Sequence, residues 1–327
     1  MLGAGCWGTA LSMLLAKNGN AVKLWDRDQA HIEAMRQSRS NERYLPGIEL
    51  PDLLEPVADL AQALSEVDFV LIAVPSGGFR PVLLAVRETL VNPFNLIWAS
   101  KGLESGSGKF LHEVVEEELP GMQTIAALSG PSFAAEVAKG LPTAVTMASH
   151  DAAYAQTVAA LFHCQRFRVY TSEDLIGVEL GGAVKNVLAI AAGISDGLGY
   201  GANARAALIT RGLAEIMRLG TRLGGQRETF MGLAGVGDLV LTCTDNQSRN
   251  RRLGLAIGRG ISLDTAVAEI GQAVEGVHSA RELDALAQRH QVDMPITEQV
   301  KRVLFDAEEP ATAVQALLNR ESKPETV

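Results

Sequence analysis

Two patterns of hydrophobic residues divide the sequence. Up to about residue 170, short and continuously apolar runs alternate with segments whose apolar positions recur at helical spacing, as in 8–17 and 79–90. Such alternation predicts βαβ units around a parallel sheet, whose strands are apolar throughout because helices cover both faces. The predicted strands are 21–25, 68–74, 95–99, 124–128 and 143–147.

Beyond residue 170 the strand-like runs fade and longer helical patterns take over. The predicted helices are 182–193, 204–223, 247–258, 275–290 and 296–305. We therefore expect an α/β domain with a doubly wound, mostly parallel sheet over residues 1–175 and an all-helical domain over residues 176–327. A length of 327 residues agrees with two domains of roughly 150 residues each.

Composition and charge narrow the functional class. The chain is 47% hydrophobic and 20% charged, and its net charge of −9 argues against broad binding to nucleic acid or to an anionic membrane. No apolar run reaches the roughly 18 residues of a membrane span, and no signal peptide is recognisable. The three cysteines and six histidines lack metal-ligand spacing, so we assign no metal and expect reduced thiols in a soluble cytoplasmic protein.

Three glycines near the start have the G-x-G-x-x-G spacing of a dinucleotide-binding turn. In that fingerprint Gly3 permits the tight turn, Gly5 admits the pyrophosphate, and Gly8 lets the following helix pack closely. The N-terminus of that helix offers N–H groups to the phosphates. Asp26, at the end of the next strand, favours the free ribose hydroxyl of NAD, whereas Arg27 would pair with the 2′-phosphate of NADP. The choice between the two cofactors stays open.

The turn follows an unusually short strand, because only Met1 and Leu2 precede it. A central strand of two residues is expected to leave neighbouring backbone groups unpaired and to reduce stability. Our hypothesis is that the native protein has further residues upstream of Met1.

Two stretches match catalytic or phosphate-binding motifs, but the residues around them do not fit those motifs. Residues 193–197 fit the nucleophile pattern G-x-S-x-G, but a predicted helix precedes them where a strand is needed. Residues 106–110 hint at a phosphate-binding loop, yet Phe110 stands where Ser or Thr is required. We interpret the second stretch as a flexible turn.

Polar residues in apolar or glycine-rich surroundings mark candidate chemistry. Lys101 follows a predicted strand at the end of the sheet where open α/β folds bind ligands, although a solvated loop lysine is the alternative. Ser132 has the same position after another predicted strand. Lys185 lies in an otherwise apolar helix, where it is either a proton-transferring base of lowered pKa or a lysine that reaches out to solvent.

A further charged stretch follows residues 238–243. There Ser248 and three arginines occupy the start of a predicted helix. Guanidinium groups and free helical N–H groups together suit an anion, although a solvated charge cluster is the alternative.

Seven motifs in the same order resemble those of bacterial NAD(P)-dependent sn-glycerol-3-phosphate dehydrogenases. They cover essentially the whole chain: GAGxWGTA, SKGLE, SGPSFAxE, GxxLGGAVKNVLAIAAG, GANARAALITRGLAE, GxGDLVLTCT and SRNRR. The resemblance implies an N-terminal Rossmann domain that binds NAD(P) and a helical C-terminal domain of the 6-phosphogluconate dehydrogenase-like type. It also implies interconversion of glycerone phosphate and sn-glycerol 3-phosphate for glycerophospholipid synthesis, and a homodimer.

The same resemblance assigns roles to single residues. It implies Lys185 as the catalytic lysine, with Lys101 and Asp238 beside it. It implies substrate contacts for Lys101, Gly130, Ser132, Asn186, Asp238, Thr242, Ser248, Arg249 and Asn250. It implies cofactor contacts for Gly3, Gly5, Cys6, Trp7, Gly8, Asp26, Arg27, Lys101, Ala134, Arg249 and Glu275. Cys6 departs from the family, which often has serine there.

These assignments predict a mechanism in which Lys185 exchanges a proton with the substrate oxygen while a hydride passes to or from the nicotinamide. A nearby Lys101 would lower the pKa of Lys185, and Asp238 would orient Lys185 and oppose that effect. The alternatives are a 3-hydroxy acid dehydrogenase of similar architecture and a dinucleotide-binding sensor without turnover.

Overall fold

A computed structural model describes residues 1–90 and 94–321, which form two compact units. The first unit comprises Met1–Ser100 and Leu111–Leu175, and the second comprises Lys101–Phe110 and the chain from Ile176 onward. The predicted boundary placed residues 101–110 in the first domain, but these ten residues pack with the second unit. Sequence patterning could not show this, because a short insertion has no periodicity of its own.

The first unit is an α/β sandwich built on a mostly parallel sheet. Five strands lie in the order β5-β6-β7-β8-β9, and only the β7–β8 pair among them is antiparallel. β1 pairs in parallel with β4, and β2 forms a small antiparallel pair with β3. The strands are β1 Val22–Trp25, β2 Ser40–Asn41, β3 Leu45–Glu49, β4 Leu54–Val57, β5 Phe69–Ile72, β6 Asn95–Trp98, β7 Ile125–Ser129, β8 Thr143–Ala148 and β9 Phe167–Ser172.

The two residues before the glycine turn join the two parts of this sheet. Leu2 forms parallel bridges with both Trp25 of β1 and Ile72 of β5. The N–H of Leu2 donates to Leu71 O, that of Gly3 donates to Trp25 O, and Leu2 O accepts from Ala73. The short strand therefore bonds to both of its neighbours at this end of the sheet, and the expected loss of stability stays a prediction.

Helices cover the sheet of the first unit, with an apolar core between. They are α1 Cys6–Lys17, α2 Gln29–Ser38, α3 Leu60–Leu64, α4 Phe79–Thr89, α5 Leu111–Glu118, α6 Ala134–Ala138 and α7 Ala152–Phe162, with a 3₁₀ turn at Ser76–Gly78. Hydrophobic patterning missed β2, β3, β4 and β9. Only Phe167 among the six residues of β9 is buried, and β4 contains Glu55 and Pro56, so neither strand has the continuous apolar run that marked the predicted ones.

Helices joined by turns and loops make up the second unit, which has no strand among its described residues. Its helices are α8 Leu175–Gly197, α9 Gly201–Arg222, α10 Arg227–Phe230, α11 Asp238–Thr244, α12 Arg249–Gly258, α13 Leu263–Ile270, α14 Glu275–Arg289, α15 Pro295–Phe305 and α16 Pro310–Leu318, with a π turn at Leu233–Gly237. The five helices predicted there are confirmed, and α8 is longer than expected.

Helix α8 is the core helix of this unit. Among the described residues it is the one helix long and apolar enough to cross a membrane, with a mean hydropathy of 1.6. Because 94% of that apolar window is buried inside the protein, its side chains pack within the unit's own core.

The rejected G-x-S-x-G stretch lies inside α8 and serves helix packing. A Cβ at Gly193 would lie 2.2 Å from Arg251 O, and one at Gly197 would lie 2.6 Å from Leu255 O. On the facing helix α12, a Cβ at Gly254 would lie 2.0 Å from Ile190 O. Glycine is therefore required where the backbones of α8 and α12 touch. This contact places the start of α12 beside the middle of α8.

Candidate functional site

The three glycines of the opening turn have three different surroundings. Gly3 has a φ of +111°, and a Cβ there would lie 2.7 Å from Ala73 O. A Cβ at Gly8 would lie 1.9 Å from Gly3 O, so this position fixes the close approach of α1 to the turn. At Gly5, by contrast, a Cβ would have no heavy atom of the described chain within 4 Å beyond its own neighbours. The three environments match the tight turn, the phosphate approach and the helix packing of the fingerprint.

Side chains from three elements hold the turn in place. Asp26 accepts hydrogen bonds from Ala4 N at 2.9 Å and from Asp28 N at 3.1 Å, one on each carboxylate oxygen. Asn41 donates to Ala4 O at 2.9 Å, and His31 Nε2 lies 3.3 Å from the same oxygen. The turn is thus preorganised, and Asp26 has a positioning role that the sequence did not reveal.

Other predicted cofactor residues surround this turn. Cys6 is the first residue of α1, where no side chain of the described chain caps the helix, and Arg27 is exposed. The indole Nε1 of Trp7 is buried and has no hydrogen-bond partner within residues 1–90 and 94–321. An unmet donor, an uncapped helix start and the open space at Gly5 fit a phosphate-bearing dinucleotide.

The motif after β7 has a constrained backbone. Gly130 has a φ of +138°, and a Cβ there would lie 2.9 Å from the Cα of Val145. Ser132 donates from its Oγ to Gly130 O at 2.9 Å, and Ala134 begins α6. These residues lie at the end of a sheet strand, as predicted from the sequence.

Three charged residues of the second unit, together with Thr242, form a cluster around a buried carboxylate, which we call the charged cluster. Lys185 of α8 donates from Nζ to Asp238 Oδ1 at 2.5 Å and to Thr242 Oγ1 at 3.2 Å. Lys101 donates from Nζ to the other carboxylate oxygen of Asp238 at 2.8 Å. Asp238 is 1% exposed and begins α11, so Thr242, one turn later, lies on the same face. One carboxylate therefore holds two ammonium groups together.

The electrostatics of this cluster favour a lysine that titrates near neutral pH. Burial lowers the pKa of Lys185 to about 8; the carboxylate of Asp238 opposes the shift, and the charge of Lys101 adds to it. Burial alone would raise the pKa of Asp238, but the two ammonium groups hold it below its ordinary value. A lysine with this pKa can both give and accept a proton at physiological pH.

A second polar group lies one residue further along α8. Asn250 donates from Nδ2 to Asn186 Oδ1 at 2.9 Å, and its own Oδ1 accepts from the N–H of Gly276 at 2.9 Å. A Cβ at Gly276 would lie 2.7 Å from Asn250 Oδ1, so α14 begins in direct contact with this pair. Glu275, the first residue of α14, is thereby brought beside Asn250.

The SRNRR stretch divides into residues with different roles. Ser248 caps α12, its Oγ accepting from Arg251 N at 3.2 Å, and Arg249 is half-buried with Nη1 3.2 Å from Gln272 Oε1. Arg251 instead turns into the unit and donates to Asp196 Oδ2 at 2.5 Å and to Cys243 O at 3.0 Å. The expectation that all three arginines converge on an anion is wrong for Arg251, because its guanidinium group is used to pair a buried carboxylate.

Sequence reasoning missed Gln272 and the Asp196–Arg251 pair. Asp196 pairs also with Arg205 at 2.8 Å, so it links α8 to α9 and α12. Residues so distant in the chain have no spacing signal, and the match of Asp196 to a rejected motif gave no hint of its partners.

Two protein-family models match this sequence in succession. The N-terminal model of NAD-dependent glycerol-3-phosphate dehydrogenase matches residues 1–155, and the C-terminal model matches residues 174–315. The chain belongs to the NAD-dependent glycerol-3-phosphate dehydrogenase family.

Individual members of the family are similar over nearly the full length. The glycerol-3-phosphate dehydrogenase [NAD(P)+] of Nitrosococcus oceani is 58% identical over 325 residues, covering 99% of this chain and 94% of that enzyme. The enzyme of the same name from Thioalkalivibrio sulfidiphilus is also 58% identical, covering 99% and 98%. The crystal structure of glycerol-3-phosphate dehydrogenase from Coxiella burnetii superposes with a TM-score of 0.94 at 50% identity, covering 98% of both chains.

Proposed function

We propose that this chain interconverts glycerone phosphate and sn-glycerol 3-phosphate, with NAD or NADP as cofactor, in glycerophospholipid synthesis. The observation that carries the proposal is the buried Lys185, whose ammonium group is held by Asp238 next to Lys101. Family membership gives the reaction, and the cluster gives a group that can perform its proton transfer. In this proposal residues 1–175, apart from residues 101–110, are the cofactor domain, and residues 176–327 together with residues 101–110 are the catalytic domain.

Lys185 is the proposed acid and base. In reduction its ammonium group gives a proton to the oxygen on C2 of glycerone phosphate, and in oxidation the neutral amine takes that proton from the hydroxyl. Asp238 keeps the Nζ in place, Lys101 and Thr242 complete the polar surroundings, and the positive charge of Lys101 stabilises the developing alkoxide. When bound, the nicotinamide supplies or accepts the hydride.

The start of α12 is the proposed phosphate site. Arg249 offers a half-buried guanidinium group there, and Asn250, held by Asn186 and Gly276, presents its amide one residue later. The N-terminus of a ten-residue helix adds partial positive charge. Ser248 supports this site through its cap.

The glycine turn is the proposed dinucleotide site. Gly3, Gly5 and Gly8 shape it, Cys6 and Trp7 begin its helix, and Asp26 fixes its geometry. The remaining assignments, which give Gly130 and Ser132 to the substrate and Arg27, Ala134, Arg249 and Glu275 to the cofactor, rest on the family resemblance.

Steady-state kinetics test the proposal directly. NADH and NADPH oxidation is measured with glycerone phosphate, and with carboxylated keto acids of similar size as the comparison. We expect turnover with glycerone phosphate and a far lower kcat/KM with the keto acids. Faster turnover of a keto acid would favour a 3-hydroxy acid dehydrogenase, and dinucleotide binding without any turnover would indicate a sensor.

We further propose a homodimer in the cytoplasm. The family resemblance supports the dimer, and the free thiols of Cys6, Cys164 and Cys243 suit a reducing compartment. Light scattering of the purified protein would give the mass, and a monomer at micromolar concentration would contradict the dimer.

A further inference from the structure

The segment that carries Lys101 is a closed loop. We call residues 101–110 the lysine loop. Within it Glu104 N donates to Lys109 O at 2.9 Å, Gly108 N donates to Glu104 O at 2.9 Å, and Ser107 Oγ donates to a carboxylate oxygen of Glu104 at 2.6 Å. Residues 106–110, interpreted from the sequence as a flexible turn, belong to a loop that has a defined internal hydrogen-bond pattern.

Both sides of the lysine loop are anchored in the helical unit. Leu103 and Phe110 are 2% and 6% exposed and belong to the hydrophobic core formed with α8 and its neighbours. The Nζ of Lys101 reaches Asp238 at the beginning of α11. Leu103 and Phe110 attach the two sides of the loop to the hydrophobic core. The tip of the loop, at Gly106 and Gly108, lies between them in the chain, and its position depends on other contacts.

The tip is held by α14. Glu282, at the middle of that helix, accepts a hydrogen bond from the backbone N–H of Gly106 at 2.9 Å. Gly108 has a φ of +68°, and a Cβ there would lie 3.3 Å from Glu282 Oε2 and 2.8 Å from Arg289 Nη2. The loop backbone thus lies directly against two charged side chains of α14, and Glu282 is the one bonded to it.

We propose that Glu282 is a positioning residue: it fastens the lysine loop to α14 and so keeps the ammonium group of Lys101 on Asp238. The proposal rests on the proposed function, because its effect on the reaction runs through Lys101 and Asp238 to Lys185. Glu282 itself touches neither proposed substrate residues nor the charged cluster in any hydrogen bond described for residues 94–321.

Loss of this fastening has a defined electrostatic consequence. Beside burial, the ionisable groups that shift the pKa of Lys185 are Asp238 of α11 and Lys101 of the loop. If the loop moves away, the ammonium group of Lys101 no longer repels that of Lys185, and the carboxylate of Asp238 pairs with Lys185 alone. Both changes favour the ammonium form, so the pKa of Lys185 rises.

Hydrogen exchange tests the fastening without reference to activity. Amide exchange of peptides spanning the lysine loop is compared in the wild-type protein, Glu282→Ala, Glu282→Gln and Asp284→Ala. Glutamine keeps an oxygen that can accept from Gly106, and Asp284 is a control on the same helix that accepts from Gln288. We expect about tenfold faster exchange in Glu282→Ala, the loss expected for one hydrogen bond, and rates within about twofold of wild type in the two other variants. Wild-type protection in Glu282→Ala would overturn the proposal.

Kinetics test the consequence for the reaction. In sn-glycerol 3-phosphate oxidation we expect Glu282→Ala to lower kcat/KM by about tenfold at pH 7 and to move the ascending limb of the pH profile to higher pH, with Glu282→Gln restoring both. An equal loss in both variants with an unmoved profile would show a structural role and overturn the positioning role. If the wild-type protein shows no turnover, the proposed function fails, and hydrogen exchange still decides whether Glu282 holds the loop.

Discussion

Lys185 and Asp238 are joined by a 2.5 Å hydrogen bond between side chains that are 9% and 1% exposed. An ion pair this deep gains little net stability, because removing both charges from water offsets most of their attraction. Its value lies in placing an ammonium group at one point and in setting its pKa. Lys101 on the other oxygen of Asp238 leaves the cluster with one excess positive charge, which suits an oxygen that becomes negative during reaction.

Removal of the Lys185 amine should abolish most of the chemistry. We expect Lys185→Ala to reduce kcat by about 10²–10⁴-fold, the usual contribution of a general acid or base. Lys185→Arg should be similarly slow, because a guanidinium group keeps its proton at neutral pH. Single-turnover kinetics with glycerone phosphate give the values. A Lys185→Ala enzyme with kcat within about tenfold of wild type would sink the assignment.

The pH dependence should follow the lowered pKa of Lys185. Oxidation of sn-glycerol 3-phosphate needs the neutral amine, so kcat/KM should rise with pH and level off above about pH 8, the pKa of Lys185. In Asp238→Asn the carboxylate that favours the ammonium form is gone, so the limb should move to lower pH. Profiles of kcat/KM against pH for the wild-type protein and Asp238→Asn, measured in matched buffers, check both expectations. An ascending limb that moves to higher pH in Asp238→Asn would contradict the electrostatic account.

Arg249 should distinguish phosphorylated substrates from others. We expect Arg249→Ala to lower kcat/KM for glycerone phosphate by roughly 10–100-fold, as for a lost charge-assisted hydrogen bond. Dihydroxyacetone, without the phosphate, should be a poor substrate for both enzymes with nearly equal kcat/KM. Arg252→Ala, on the same helix but exposed, is the matched control. Equal losses with and without the phosphate would argue against a phosphate contact.

Two glycine substitutions should separate folding from cofactor binding. Gly8→Ala puts a methyl group 1.9 Å from Gly3 O, so the Tm should fall by several degrees. Gly5→Ala meets no atom of the described chain, so its Tm should stay close to wild type while its Kd for the dinucleotide rises by about tenfold or more. Thermal unfolding and a dinucleotide titration measure the two effects. Unchanged affinity in Gly5→Ala would contradict the proposed phosphate approach.

Glu215 should make stability depend on pH. Its buried carboxyl accepts from the N–H groups of Ile296 and Thr297 at the start of α15, and burial raises its pKa to about 7. Between its ordinary pKa of 4.5 and about 7 the folded state binds more protons than the unfolded state. The contribution of this raised pKa to the free energy of unfolding is therefore fully present below about pH 4.5 and is lost as the pH rises through about 7. As the pH rises through this range, the Tm of the wild-type protein should fall relative to that of Glu215→Gln. A Tm difference that stays constant with pH would contradict this role of Glu215.

Much of the architecture could be predicted from hydrophobic patterning. Buried parallel strands such as β5 and β6 are apolar on both faces, and the long helices of the second unit repeat their apolar positions, so both were found. The edge strand β9 was not found, because it is largely exposed and has no continuous apolar run. The antiparallel direction of the β7–β8 pair was not found either, because strand direction depends on the whole chain path. The sequence pattern also did not show that residues 101–110 belong to the helical unit.

The sequence by itself determined that a lysine lies in an apolar helix and that a glycine turn opens an α/β domain, since these depend on neighbours within a few residues. Only the tertiary structure decided that Lys101 and Lys185 share the carboxylate of Asp238, that Arg251 pairs with Asp196 while Arg249 does not, and that Glu282 holds the lysine loop. Burial, partners and pKa depend on residues far apart in the chain, and these distances are set when the helices pack.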